Sequence, residues 1–153
     1  MVKGVLRFFF DYGAGGCLWA GDSETCARLD VGPVDAAFFG LDGQMPSKPK
    51  LVLSETAQQL RDRLDFEHSG YLNPLYPLDP SLWTQGVCDR FNTDVDKLLV
   101  LLRQELEADY SIVDEQYRYE EDPRLDEYLT ENPSLARIDE VKVSTVGWVR
   151  GET

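Results

Sequence analysis

The longest regular alternation of apolar and polar positions runs from Trp83 to Leu106. Trp83, Val87, Phe91, Val95, Leu98, Leu99, Leu102 and Leu106 recur three or four residues apart, while Asp89, Arg90, Asp94, Asp96 and Arg103 take the other face. An α-helix returns such positions to one side, so the pattern predicts a central core helix over 81–108, opened by Asp79-Pro80-Ser81. Gly86 costs a helix interior about 1 kcal/mol relative to alanine, and so marks a late start or a close packing contact. A second helix is predicted over 55–69. There Ala57, Leu60 and Leu64 share a face, Ser54 stands at the N-cap and Gly70 beyond the C-terminus.

Strand signals are shorter. Val2 to Phe10 is rich in Val, Leu and Phe, and Gly13-Ala14-Gly15-Gly16 leads from it into Cys17-Leu18-Trp19-Ala20, which reads as a β-hairpin. Residues 110–119 alternate in part and read as a strand with acids on the facing side. Asp122-Pro123 opens a short helix carrying Leu125, Tyr128 and Leu129 on one face, and Asn132-Pro133 closes it. Val141, Val143, Val146 and Trp148 suggest a last strand with a bulge near Thr145. Residues 21–50 read as loop, with a short strand or helical turn around Val34 to Phe39. The prolines of 73–80 forbid helix, so Tyr71, Leu72, Leu75, Tyr76 and Leu78 must pack onto something or form a sticky surface. The expected architecture is a single α+β domain over 1–153. Its antiparallel sheet, built from the hairpin, the 110–119 strand and the C-terminal strand, packs against one long and one shorter helix.

Charge changes this picture in one region. The 153-residue chain has a formal net charge of −13, and the stretch from Glu105 to Glu140 carries −10 of it. Such a field draws in basic partners and repels nucleic acid and anionic lipid, so neither direct nucleic-acid nor membrane binding is expected. One reading is a solvated face that keeps the chain dispersed. The other starts from the tyrosines interleaved with the acids. Aromatic rings supply contact area and carboxylates supply complementarity, so Asp114, Glu115, Tyr117, Tyr119, Glu120, Glu121, Asp122, Asp126 and Glu127 are the candidate partner-binding residues.

Catalytic and cofactor motifs are not evident. The glycine cluster fails as a phosphate loop because Leu18 stands where the third glycine belongs, and no Lys-Ser/Thr pair follows. His68 is the single histidine and reads as an exposed or helix-capping residue. Cys17, Cys26 and Cys88 are an odd, scattered set that suits free thiols in a reducing cytoplasm, with Cys17 and Cys88 as core thiols. Asp94-Val95-Asp96 lacks the glycine turn and terminal glutamate of a calcium loop, and among so many carboxylates no acid/base pair stands out. The apolar run Val5 to Phe10, broken by Arg7, falls well short of the ~20 residues a bilayer span needs. No metal or cofactor is therefore expected, and no enzymatic activity.

Two stretches, Phe8-Phe9-Phe10-Asp11-Tyr12-Gly13-Ala14-Gly15-Gly16-Cys17-Leu18-Trp19 and Cys88-Asp89-Arg90-Phe91-Asn92 leading into Leu98 to Tyr110 and Ile112-Val113-Asp114-Glu115-Gln116, resemble small acidic bacterial proteins. In size, acidity and want of catalytic motifs the chain is similar to immunity proteins that neutralise bacterial toxins. That resemblance implies a binding protein that masks the active or substrate-binding surface of a basic toxin, such as a nuclease domain. The competing expectations are a nucleic-acid mimic that blocks a DNA-binding protein, and a small enzyme with an unadvertised carboxylate site.

Overall fold

The apolar stripe from Val87 to Leu102 forms the buried side of helix α3, Gln85–Leu106, in a computed structural model that describes residues 3–29, 32–36, 38–39, 46–47 and 49–139. The helix starts at Gln85 rather than at residue 81 because Thr84 caps it, its Oγ1 accepting from the Val87 amide at 3.4 Å. Residues 82–84 are extended instead: Thr84 N donates to Ile138 O and Ile138 N to Leu82 O. Gly86 therefore lies in the first turn, exposed, where it marks the late start. Helix α2, Glu55–Ser69, packs on α3, and Ser54 Oγ accepts from the Ala57 amide at 3.1 Å as the N-cap.

The sheet against these helices contains β1 (Gly4–Phe8), β2 (Leu18–Ala20) and β5 (Tyr110–Asp114) in the order β2-β1-β5. Leu6, Phe8, Leu18 and Ile112 are buried with the α3 stripe in one core. The predicted hairpin is present, with β1 and β2 antiparallel. The sheet as a whole is mixed rather than antiparallel, because β5 runs parallel to β1 with Gly4 opposite Tyr110 and Phe8 opposite Asp114. The reason is the connection. β1 and β5 are joined through a long stretch of chain that includes β2 and α3, the kind of link that parallel neighbours require and a tight hairpin cannot supply. The strand expected over 141–148 lies outside the described residues.

The predicted 110–119 strand stops at Asp114. After one more backbone bond, Glu115 N to Phe8 O at 2.9 Å, the chain leaves the ladder and is held to α3 by side chains. Asn92 accepts from the Tyr119 amide at 3.0 Å and donates to its carbonyl at 2.9 Å, and Gln85 and Glu121 exchange a similar pair. The alternation of Tyr117 and Tyr119 therefore reports an extended segment whose partner is a helix surface.

Within 21–50, read as loop, the chain forms helix α1 (Ser23–Leu29) and a two-stranded antiparallel pair, β3 (Phe38–Phe39) and β4 (Pro46–Ser47). Asp22 starts α1 by accepting from the Thr25 amide at 2.8 Å. The turn after β1 is locked from this region. Gly13 and Gly15 hold φ of 73° and 80°, and the buried Asp35 carboxylate accepts from the Cys17 and Leu18 amides, each at 3.0 Å. A Cβ on Gly16 would stand 2.6 Å from Asp35 Oδ1. Arg61 of α2 completes the knot with Nη1 3.2 Å from Asp35 Oδ2. Among the described residues no helix is long and apolar enough to cross a membrane.

Candidate functional site

Beyond the carboxyl ends of β1 and β5 the two chains diverge and leave a cleft of about 340 Å³. Crevices outside the carboxyl ends of neighbouring parallel strands are where open sheets tend to bind ligands. Here β1 continues into Phe9, Phe10 and Tyr12, and β5 into Glu115, Gln116 and Tyr117. Gln116 ties the two sides together, accepting from the Phe10 amide at 2.7 Å.

His68 and Tyr119 form the buried side. The structure corrects the expectation of an exposed or capping histidine, because His68 is 3% exposed at the end of α2. It continues the buried face of Ala57, Arg61 and Leu64, whose spacing of three and four residues was the signal that could have placed it. Its Nε2 lies 3.1 Å from the Tyr119 hydroxyl, and the Tyr12 ring stacks on the imidazole at 4.4 Å. Burial, partly opposed by the Asp11 carboxylate, pushes the imidazole from 6.5 down to about 4, so it is neutral at pH 7. Burial likewise raises Tyr119, and lifts Tyr71, whose ring lies 4.1 Å away at a tilt of 33°, to about 12. This aromatic cluster carries no charge of its own at neutral pH. Its outer rings are open to solvent, Tyr117 at 66% exposure and Tyr12 at 43%.

The structure distributes the nine candidate residues between two places. Glu115, Tyr117 and Tyr119 line the cleft. Glu115 is paired with Arg7 at 2.7 Å, and the same guanidinium lies 5.0 Å over the Phe9 ring, which stacks in turn on Trp19. Tyr119 is a core ring, leaving Tyr117 as the accessible tyrosine of that pair. Asp114 sits just behind, bound to Arg118, which also reaches Asp96.

Glu120, Glu121, Asp122, Asp126 and Glu127 lie instead along the segment that enters α4, Leu125–Glu131. Several are already engaged. Glu121 accepts from the Gln85 amide at the start of α3, Asp122 is held below the usual carboxylate range by its hydrogen bond from Arg124, and Asp126 pairs with Arg137. Glu120 and Glu127 are exposed and unpaired among the described residues.

Beside α4 stands an apolar loop. The Tyr128 hydroxyl donates to Asp79 Oδ2 at 3.1 Å, bringing the helix to residues 72–78, where Leu75 is 64% and Leu78 73% exposed, with Tyr76 between them. The loop is fixed by buried Asn73, whose Oδ1 accepts from the Leu75 and Tyr76 amides while its Nδ2 donates to Pro80 O. Of the two alternatives left by the sequence for this proline-rich stretch, Tyr71 packs inward and Leu75, Tyr76 and Leu78 form surface.

The cysteines are free thiols. Burial, foremost, pushes Cys17 well above its ordinary value and Cys88 to about 11, so neither carries a thiolate at neutral pH. Among the described residues no group of three or more His, Cys, Asp or Glu side chains is placed to hold a metal ion. The arrangement offers ring faces, carboxylates and exposed apolar side chains, which are the elements of recognition. Comparison with models of known protein families, with curated proteins and with solved structures gives no match, so function must be read from this chain's own residues.

Proposed function

We propose that this chain is a binding protein that masks a basic surface of a protein partner, in the manner of an immunity protein that neutralises a basic toxin such as a nuclease domain. The observation that carries the reading is the juxtaposition of the exposed Leu75, Tyr76 and Leu78 with the acids around α4, joined by the Tyr128–Asp79 hydrogen bond. Acids alone serve dispersal. Three large apolar side chains held in solvent by an ordered loop serve contact, and beside carboxylates they make an apolar centre with a charged rim. Prior ordering matters because a loop already fixed by Asn73 loses little freedom on binding. A partner with an apolar recess ringed by lysine and arginine complements this face, and its phosphate-binding surface would be covered by carboxylates standing where phosphates would sit.

The test is affinity capture at low salt from host cells with three baits: the wild-type chain, Glu120→Lys/Glu127→Lys and Leu75→Ser/Leu78→Ser. These substitutions avoid Glu121, Asp122 and Asp126, which already have hydrogen-bond or ion-pair partners within the chain. The reading expects one basic protein retained by the wild type and released by either pair of changes. Capture that ignores both pairs would sink it.

A further inference from the structure

The cleft beyond β1 and β5 is separate from the apolar loop and has a chemistry of its own. We infer that it takes one cationic side chain, a guanidinium or ammonium group presented by the partner protein; this rests on the reading of a basic partner. Three observations lead there. The accessible walls carry the exposed rings of Tyr12 and Tyr117, and aromatic rings attract cations to their faces through their quadrupole. The cleft already holds one such contact internally, the Arg7 guanidinium over Phe9 and against Glu115. Charge then leaves room for a second cation. Arg7 and Glu115 cancel, His68 is neutral, and Asp11, next to Tyr12 and close enough for its charge to act on the imidazole, has no basic partner among the described residues. One uncompensated carboxylate beside exposed aromatic rings fits a monocation.

The geometry makes Tyr117 the better probe of the two walls. Its ring is largely in solvent and meets Tyr119 edge-on at 4.9 Å, so its removal leaves the core aromatic cluster in place. Tyr12 covers His68 and contributes to burial as well as to the surface.

The experiment is a titration of the full chain with N-acetyl-arginine amide, followed by proton NMR of the tyrosine and histidine rings. Tetramethylammonium is a second cationic probe, and N-acetyl-norleucine amide is the neutral control of similar length. Saturable shifts of the Tyr12, Tyr117 and His68 rings are expected with both cations and not with norleucine. Tyr117→Ala should weaken binding about 2- to 5-fold, the size of one exposed cation–π contact, and Tyr117→Phe should retain it. Asp11→Asn should weaken it as well. Equal shifts with the neutral amide, or no saturable shift with either cation, would overturn the inference. Should the cations fail here while a basic partner is still captured through the loop and α4, the proposed function stands without this cleft. Should they bind while capture ignores those surfaces, the cleft is a cation site and the basic-partner reading falls.

Discussion

His68 Nε2 lies 3.1 Å from the hydroxyl of Tyr119, and the imidazole is enclosed by the rings of Phe10, Phe91 and Tyr12. A neutral imidazole suits this enclosure and a charged one does not. In the folded chain the group titrates near 4, below the ordinary 6.5. The unfolded chain therefore takes up the proton first as pH falls. Stability from this group is complete above about pH 6.5 and is lost progressively down to about pH 4, with a total of about 3 kcal/mol. Denaturant melts of wild type and His68→Phe should diverge across that window, the wild type losing more stability as acid is added. Because the chain has a single histidine, its NMR titration reads the midpoint directly, and a midpoint near 6.5 would show the ring to be exposed.

A second expectation concerns the α3 stripe. Leu102 is fully buried in the core cluster with Leu98, Leu99 and Ile112. Leu102→Ala removes that burial and leaves a cavity, so denaturant melts should register a loss of about 2–5 kcal/mol. A loss below about 1 kcal/mol would show that the neighbours collapse into the space.

The Asp35–Arg61 pair makes a sharper demand on the fold. Asp35 holds the amides of Cys17 and Leu18 and is itself reached by Arg61, whose Nη1 also donates to the Asp35 carbonyl at 2.6 Å. Arg61→Ala leaves a buried carboxylate without its cation, which typically costs about 3–5 kcal/mol. The same substitution at the exposed Arg124 should fall within about 0.5 kcal/mol. Equal melting behaviour of the two variants would remove the argument that this knot fixes the hairpin turn.

What the sequence made legible follows from how local the determining interactions are. Helix α2 and the body of α3 were readable because their apolar period and caps are encoded within each segment. The start of α3 was not, because residues 82–84 are drawn into extended pairing by Ile138, far along the chain. Residues 115–119 imitate a strand because the Asn92 side chain bonds the Tyr119 backbone as a neighbouring strand would. The candidate site was half legible. Acid density pointed to Glu120 and Glu127, and tyrosine spacing to Tyr117. The cleft needed β1 beside β5, a parallel pairing that no local pattern announces, and the contribution of Tyr12 and His68 arises only from that tertiary arrangement.

The last prediction separates the roles of charge and apolar contact once a basic partner is in hand. Exposed carboxylates act at a distance, and screening shortens their reach from about 30 Å at 0.01 M salt to about 8 Å at 0.15 M. The association rate should therefore fall steeply with salt, and Glu120→Lys/Glu127→Lys should slow association while leaving dissociation nearly unchanged. Leu75 and Leu78 work only after contact, by excluding water from a fixed apolar surface. Leu75→Ser/Leu78→Ser should accordingly speed dissociation by about tenfold or more, since losing about 1.4 kcal/mol of contact energy is a factor of ten and most interface changes act on that rate. Stopped-flow association and surface-immobilised dissociation measurements at two salt concentrations give both rates. If the serine variant slows association instead, and dissociation follows the charge variant, the two surfaces have exchanged roles and the apolar loop is not the anchor.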